Sequence, residues 1–305
     1  MHLYPPSNLS DLLFGKMSRS LLRLYSVISS LLYHSLPQNW NKSKAANINS
    51  VIFRLDDIPY DSPIYDQARI DLDLAVMEVF IKKNQNVTLG LVASYLDLHP
   101  NLVDYIIRGS DKGIFELALH GWDHSDYSKL SKTDQEFALL NAMSKIQDLF
   151  GYQSKIFIPP YNKFNRLTIS VLKKLGIKIL SSSLYSDYHS AYVTSQSRKN
   201  KGKENPLFHF PEMVSFETFQ GSRPIPVPLK QLVKNVENKI SKYGYAIITI
   251  HPQDFVKFVD AKSTEANLKE SVLDVEQIKQ LDSLLQIILD KQIKITNFCK
   301  ILDPR

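Results

Sequence analysis

The feature that most constrains this sequence is an alternation of short apolar runs with amphipathic segments. Runs of three to six mainly apolar residues recur along the chain, and several are followed by apolar residues at helical spacing. Such an alternation is typical of parallel βαβ units, whose strands are buried on both faces. The pattern therefore predicts an α/β fold, in which about seven or eight units would close a barrel. The predicted strands are 50–55, 87–92, 114–119, 155–158, 177–180, 245–250 and 293–295.

Local signals place the helices between these strands. Ser131 begins a helix that Gly151 ends, and Asn165 caps the next helix, which extends to Leu175 and is ended by Gly176. Apolar periodicity predicts further helices at 66–83, 100–110, 229–243 and 275–289. The sequence has no internal repeat, no G-x-G-x-x-G motif and no Walker-type phosphate loop.

Polar or prolyl residues follow four of the predicted strands. Asp56-Asp57 ends the first, His120 ends the third, Pro159-Pro160-Tyr161-Asn162 follows the fourth, and His251 ends the strand at 245–250. In parallel α/β folds the carboxyl ends of the strands lie on one face, where active sites are built. We therefore expect these residues to lie close together.

The residue types at these strand ends favour a hydrolytic metal site. His120 and His124 are four residues apart, and two imidazoles with one carboxylate leave coordination positions open for water. Of the adjacent carboxylates, one can bind the metal while the other acts as a general base. His251 is placed to act as a general acid. Considered alone, His120 and His124 could be buried histidines that are hydrogen-bonded to the backbone. Asp56-Asp57, considered alone, could be a simple turn that ends a strand.

Together these motifs resemble the polysaccharide deacetylase family, whose members share a NodB-type domain. Arg54-Leu55-Asp56-Asp57-Ile58-Pro59 is similar to the family's first motif, T-F-D-D-G. His120-Gly121-Trp122-Asp123-His124 is similar to H-[ST]-x-x-H, and Ile158-Pro159-Pro160-Tyr161-Asn162 to R-P-P-[YF]-G. Thr249-Ile250-His251-Pro252 is similar to the motif around L-H-P. The resemblance extends from about residue 51 to 295.

The resemblance implies a distorted (β/α)7–8 barrel and a division of roles. Asp57, His120 and His124 correspond to metal ligands, Asp56 to the catalytic base, and His251 to the general acid. The backbone N–H of Tyr161 corresponds to the oxyanion donor. The family's usual metal is zinc, with cobalt, nickel or manganese as alternatives. Further candidates for binding substrate or supporting the site are Arg54, Trp122, Pro159, Pro160 and Asn162.

The sequence departs from the family pattern at several motif positions. Ile58 and Asn162 replace glycines, and Gly121 replaces Ser or Thr. Ile158 occupies the position of the arginine that orients the base. Arg54 lies two residues before Asp56, so both side chains would face the same way on a strand. We expect Arg54 to pair with Asp56 in place of the missing arginine.

The domain prediction divides the chain at about residue 45. Residues 1–45 form an N-terminal amphipathic helical extension and linker, and residues 46–305 form the barrel, with an irregular excursion at 183–228. The apolar positions between Leu21 and Leu32 have helical spacing, and Arg23 interrupts them. A weak signal peptide or anchor, or a membrane-surface helix, remains an alternative. No transmembrane span is predicted, and a cytoplasmic location is slightly favoured.

Charge and cysteine content exclude several other classes of protein. Cys299 is the single cysteine, so neither an intrachain disulfide nor a cysteine-based zinc site can form. The net charge of +6 comes mostly from dispersed lysines. The basic cluster at 198–203 has no interleaved aromatic residues, so no nucleic-acid partner is predicted.

These observations lead to one functional hypothesis and two alternatives. The hypothesis is a metal-dependent hydrolase that removes an N-acyl group, most simply acetyl, from an amino sugar or polysaccharide by means of a metal-activated water. It would act on carbon–nitrogen bonds other than peptide bonds. One alternative is the same metal site acting on a small non-carbohydrate amide or ester. The other is an inactive carbohydrate-binding barrel. The sequence predicts neither the polymer nor the oligomeric state.

Overall fold

The structure, a computed structural model, describes residues 49–59, 67–182, 207–211, 214–220, 223–257 and 272–302. The predicted N-terminal extension and most of the excursion at 183–228 lie outside the described residues. Within the described part of the chain, every helix is too short or too polar to cross a membrane.

A parallel sheet forms the centre of the molecule. In the described residues it has nine strands, of which eight are hydrogen-bonded in the order β6-β5-β4-β3-β2-β1-β10-β7, and β13 also pairs with β1. The sheet curls into a half-barrel with helices around it, which confirms the predicted distorted α/β barrel. Its strands are β1 (Ser50–Ile58), β2 (Val87–Leu91), β3 (Phe115–Leu119), β4 (Ile156–Phe157), β5 (Ile179–Leu180), β6 (Phe208–His209), β7 (Val214–Ser215), β10 (Tyr245–Ile250) and β13 (Lys294–Thr296).

Seven α-helices lie in the described part of the chain, and most connect consecutive strands of the sheet. They are α1 (Gln67–Lys83), α2 (Pro100–Asp111), α3 (Lys132–Phe150), α4 (Arg166–Lys174), α5 (Leu229–Tyr243), α6 (Val275–Asp290) and α7 (Phe298–Leu302). Short 3-10 helices cover Ala93–Leu98, Pro160–Asn162 and Pro252–Phe255.

The helix boundaries follow from the capping residues that the sequence contains. The Ser131 hydroxyl accepts a hydrogen bond from the N–H of Asp134, and Gly151 ends α3 in the left-handed conformation with φ 64°. Asn165 and Thr168 form a reciprocal capping box at the start of α4. The predicted starts and ends of both helices are confirmed to within one residue.

Burial explains why the central strands are mainly apolar. Every residue of β1 and β10 is buried, as is expected of parallel strands with both faces covered. The main core packs one face of the sheet against the helices, and a smaller cluster lies around Ile52, Ala118 and Phe298. Polar residues within β1 therefore lie in a water-poor environment.

The sequence predicts one or two short strands in the excursion, for example around 207–210, and the described residues between 207 and 228 contain four. They supply β6 and β7 to the sheet and an antiparallel hairpin of β8 (Glu217–Gln220) and β9 (Arg223–Pro226). A second small hairpin pairs β11 (Val256–Lys257) with β12 (Val272–Leu273). Two-residue strands such as β7 carry too few residues to show a periodicity, so only pairing with β10 identifies them.

Candidate metal centre

The predicted site residues follow strands that are neighbours in the sheet. The order β4-β3-β2-β1-β10 places the carboxyl ends of four motif-bearing strands side by side. Because all these strands are parallel, their following loops meet at one edge of the sheet. The clustering that we expected from the sequence is therefore present in the fold.

Asp57, His120 and His124 converge on a single point. Asp57 Oδ1 lies 2.8 Å from His120 Nε2 and 3.0 Å from His124 Nε2. All three side chains are buried, and their ligand atoms lie within 4.8 Å of one another. Metal–ligand bonds of about 2.1 Å would separate two donor atoms by about 3 Å at right angles and by about 3.4 Å at tetrahedral angles. The spacing of these atoms therefore matches that of ligands around one small cation.

The protonation of His120 supports the same interpretation. Its Nδ1 lies 2.8 Å from the carbonyl oxygen of Ile158, and a carbonyl can only accept, so Nδ1 carries a proton. A proton on Nε2 would be donated to Asp57 Oδ1, whereas in the neutral ring the Nε2 lone pair is available to a cation. A neutral ring held in this way presents Nε2 to a metal, which is the usual arrangement of a histidine ligand. The donor set therefore fits a divalent cation.

An irregular backbone lets two consecutive aspartates reach the same site. Side chains alternate along a regular strand, so Asp56 and Asp57 would face opposite sides of the sheet. The pairing of β1 with β2 shifts register between Leu55 and Ile58, and Asp57 has a φ of 62°. This left-handed turn brings both carboxylates to the carboxyl edge. Strained φ values of this kind are common at functional sites.

The electrostatics around Asp57 favour its charged form. Burial alone would raise the pKa of this carboxyl, but hydrogen bonds from His120 and His124 and the charge on His251 lower the pKa well below its ordinary value. Asp57 is therefore ionised at neutral pH, as a metal ligand must be.

Asp56 is held by Arg54, as we expected from the sequence. Arg54 Nη2 lies 2.7 Å from Asp56 Oδ2, and both side chains are almost completely buried. Arg54 also donates to Ser181 Oγ and to Asn162 Oδ1, each at 3.0 Å. The guanidinium is thus fixed by three acceptors from three parts of the chain, and it orients one oxygen of Asp56.

The other oxygen of Asp56 faces a constricted space. Among the described residues, Asp56 Oδ1 has no hydrogen-bond partner, although it is buried. Gly90 lies beside it, since a Cβ added there would be 3.2 Å from Asp56 Oδ1 and 3.5 Å from the Cβ of His120. A carboxylate oxygen that is buried and unpartnered can accept a proton from a bound molecule.

His251 lies opposite the metal-binding cluster. Its Nε2 is 3.9 Å from Asp56 Oδ2, and its side chain is 30% exposed. Burial favours neutral His251, but Asp254, Asp57 and Asp56 outweigh this effect and raise its pKa. Burial also raises the pKa of Asp254 to about 6. Asp254 further accepts the backbone N–H of His251 at 2.8 Å, which fixes the turn that carries the histidine.

The remaining predicted residues form one wall of the site. Tyr161 is 56% exposed, with φ 56° and its ring centroid 4.6 Å from that of His124. Pro159 and Pro160 are buried beneath it, and Trp122 is half-buried against the core. The two prolines therefore support the wall, and Tyr161 is the member that faces solvent.

The departures from the family pattern have local explanations. Gly121 has φ 85°, and a Cβ there would lie 3.2 Å from the Tyr127 ring and 3.3 Å from Pro160. Ser or Thr would be strained at this position. Asn162 accepts the hydrogen bond from Arg54, and Ile158 contributes its carbonyl rather than its side chain.

Three contributors were not assigned from the sequence. Ser181 binds Arg54, Asp254 fixes the His251 turn, and Gln253 Nε2 donates to Asp57 Oδ2 at 3.1 Å. Asp254 could have been found from its i+3 spacing to His251, which is the spacing of a capping box. Gln253 has no comparable signal, because its contact joins residues 196 positions apart.

Comparison with known proteins finds similar proteins in both sequence and fold. Residues 45–180 match the model of the polysaccharide deacetylase family. The bifunctional xylanase/deacetylase of Pseudobutyrivibrio xylanivorans is 22% identical over 178 residues, which are 57% of this chain. The peptidoglycan deacetylase of Helicobacter pylori is 28% identical over 78 residues, or 26% of this chain. In each case the match spans 27% of the relative's length.

Solved structures share the fold at low sequence identity. A peptidoglycan N-acetylglucosamine deacetylase is 15% identical, with a TM-score of 0.52 over 87% of this chain and 96% of its own. The CE4 domain of a xylanase from the hindgut metagenome of Trinervitermes trinervoides is 14% identical, with a TM-score of 0.52 over 85% and 91%. A CE4 family pseudoenzyme from Bacillus anthracis is 14% identical, with a TM-score of 0.52 over 84% and 66%. These neighbours establish the fold, which active and inactive proteins share.

Proposed function

We propose that this protein is a metal-dependent deacetylase that removes an N-acyl group, most simply acetyl, from an amino sugar or polysaccharide. The observation that carries the proposal is the buried cluster of Asp57, His120 and His124 beside a second, separately held carboxylate, Asp56. A protein that only binds a carbohydrate would not require a second carboxylate, outside the metal ligands, next to them. The match of residues 45–180 to the polysaccharide deacetylase model supports this activity.

The metal would be held by Asp57 Oδ1 and by Nε2 of each histidine. Zinc is the expected ion, with cobalt, nickel or manganese as alternatives, because two imidazoles and one carboxylate are common zinc ligands. When bound, a divalent cation lowers the pKa of a bound water and polarises the acyl carbonyl.

Two side chains would move the protons. Asp56 Oδ1 accepts the proton of the attacking water, while Arg54 holds Oδ2 and keeps the carboxylate in place. His251 donates a proton to the departing amine. Its raised pKa favours the protonated form that a general acid needs, and its partial exposure allows it to reach a substrate.

Tyr161 would contribute both its backbone and its ring. Its N–H is the candidate oxyanion donor, and one such donor is worth about 3 kcal/mol in the transition state. The exposed ring, packed against His124, offers a flat face to a sugar ring. Trp122, Pro159, Pro160 and Asn162 would support this wall.

Acetate release tests the proposal directly. The metal-stripped protein, reloaded with zinc, is incubated with chito-oligomers, peptidoglycan fragments and a panel of small amides and esters. We expect acetate from the N-acetylated sugars. Release from small amides or esters alone would assign the site to non-carbohydrate substrates. No release from any substrate would contradict the proposal and favour an inactive carbohydrate-binding barrel.

The Asp56→Asn variant tests the assigned base. We expect turnover to fall by about 10²–10⁴, the usual contribution of a general base, while zinc binding is retained. Asp123→Asn is the matched control, because Asp123 is an exposed neighbour of His124 whose carboxylate binds Ser125. Full activity in Asp56→Asn would contradict the assignment.

A further inference from the structure

Gln253 contacts the metal-binding cluster from a part of the chain that no motif includes. It lies in the 3-10 helix Pro252–Phe255, directly after β10. Its Nε2 donates to Asp57 Oδ2 at 3.1 Å, while Asp57 Oδ1 faces the two histidines. The two oxygens of one carboxylate therefore have different partners.

The chemistry of the contact determines how the Gln253 amide is oriented. An ionised carboxylate only accepts hydrogen bonds, so the NH₂ group must face Asp57 and the carbonyl must face away. Among the described residues that carbonyl oxygen, Oε1, is buried and has no hydrogen-bond partner. The cost of an unsatisfied buried acceptor is about as large as the contribution of a hydrogen bond to a charged group. Gln253 thus adds little net stability to the fold.

The surrounding turn holds Gln253 in this position. Pro252 occupies the first position of the 3-10 helix, and Asp254 Oδ2 accepts the backbone N–H of His251 at 2.8 Å. Asp254 is buried and Gln253 is half-buried, so the amide has few alternative orientations. The amide is therefore pre-positioned against Asp57.

We propose that Gln253 is a positioning residue that makes Asp57 a one-oxygen ligand of a divalent cation. By donating to Oδ2, its amide prevents the carboxylate from turning to bind the cation through both oxygens. A second Asp57 oxygen would take a coordination position that water or substrate needs. This inference rests on the metal site of the proposed function and adds to it a residue that selects the binding mode.

Metal affinity tests the inference without any enzymatic assay. Gln253→Met keeps the length of the side chain and removes the donor. Zinc affinity of the metal-stripped protein is measured by competition with a chromophoric chelator, and cobalt is used to record the absorption spectrum of the site. We expect the zinc dissociation constant to rise by about ten- to a hundredfold, as is typical when a hydrogen-bond partner of a ligand is lost. The cobalt spectrum should change as well.

Gln280→Met is the matched control. Gln280 is half-buried like Gln253, but its amide donates to the backbone carbonyl of Val227 at 3.0 Å instead of to a metal ligand. We expect its zinc affinity and cobalt spectrum to equal those of the wild type. Should Gln253→Met fail to fold, Gln253→Asn withdraws the amide by one methylene group and should weaken zinc binding in the same way.

The outcomes separate this inference from the proposed function. Wild-type zinc affinity and an unchanged cobalt spectrum in the Gln253 variants would overturn the inference and leave the deacetylase proposal intact. A wild-type protein that binds zinc but releases no acetate would overturn the function, and the role of Gln253 would stand. A wild-type protein that binds no zinc would overturn both.

Discussion

Arg54 shows how one buried residue can replace another from a different strand. The family pattern places the arginine that orients the base after the fourth strand, where this chain has Ile158. Arg54 reaches Asp56 from the same strand, two residues away, because alternate residues of a strand face the same side. Both charges lie almost completely out of water. The loss of either partner would therefore leave an uncompensated buried charge.

A double-mutant cycle measures this pair. We expect Arg54→Met to lower the free energy of unfolding by about 3–5 kcal/mol, because Asp56 is left buried and unpaired. Adding Asp56→Asn should recover about 1–3 kcal/mol, since the neutral amide needs no counter-charge. Denaturant unfolding of the four proteins gives the coupling. Strictly additive effects would contradict an ion pair at this position.

His209 lies next to the same network and must stay neutral. Its Nε2 lies 3.0 Å from Ser182 Oγ, and the side chain is buried. Burial, together with the positive charge of Arg54, lowers the pKa of His209 to about 3. His209 therefore stays unprotonated in the folded protein at pH values below 6.5 at which it binds a proton in the unfolded chain.

This shift predicts a loss of stability in acid. Because the folded-state pKa is lowered, the unfolded state binds one more proton between about pH 3 and 6.5, and stability falls as the pH decreases through that range. At pH 5 the loss from this group is about 2 kcal/mol. We expect His209→Gln to flatten the dependence of unfolding free energy on pH by about one proton. An unchanged slope in denaturant titrations at pH 5 and 7 would count against a neutral buried His209.

Among the secondary-structure elements, helix α7 is hydrogen-bonded to the sheet through Glu116 of β3. Its Oε2 accepts from Thr88 Oγ1 at 2.7 Å and from the N–H of Phe298 at 3.0 Å, and its Oε1 accepts from the N–H of Cys299 at 2.9 Å. The two N–H groups begin α7, which is too short to be stable alone. A single carboxylate in β3 thus holds an element that is remote in sequence.

Glu116→Gln should loosen this attachment. The new NH₂ group would face one of the N–H or O–H donors, so at least one hydrogen bond is lost at a buried site. We expect the free energy of unfolding to fall by about 1–3 kcal/mol. Glu237→Gln is the control, because Glu237 forms an exposed ion pair with Lys291 that is worth less than about 1 kcal/mol. Equal effects of the two substitutions would contradict the role of Glu116.

For the whole molecule, the candidate metal-binding cluster joins strands that are distant in sequence. Asp57 follows β1, while His120 and His124 follow β3, and the turn after β10 adds Gln253. The ligands have the required spacing only in the folded chain. Metal binding should therefore stabilise the native state as a whole.

Thermal unfolding measures that stabilisation. At a zinc concentration one hundred times the dissociation constant we expect about 2.7 kcal/mol of added stability, and a rise in Tm of about 5 °C or more. His120→Ala should abolish the rise. His99→Ala is the control, because His99 lies outside the donor cluster. A zinc-dependent rise that persists in His120→Ala would place the metal elsewhere.

Elements with a clear periodicity were predictable from the sequence. Helices α3, α4 and α5 and strands β2 and β10 lie within about two residues of their predicted bounds, because local propensity, capping and burial agree there. The two-residue strand β7 and the hairpin β8–β9 were not predicted, since their conformation depends on pairing with partners distant in sequence.

The sequence by itself determined the chemistry that this chain can offer: two histidines, two adjacent aspartates and a distal histidine, each at the end of an apolar run. It also predicted the Arg54–Asp56 pair, because that contact depends only on the alternation of a strand. Tertiary structure alone decided which oxygen of each aspartate meets which partner. Gln253 binds Asp57 Oδ2, and Ser181 helps to hold the guanidinium that binds Asp56 Oδ2. Such contacts cannot be predicted from local sequence, because these side chains meet only after distant segments have packed together.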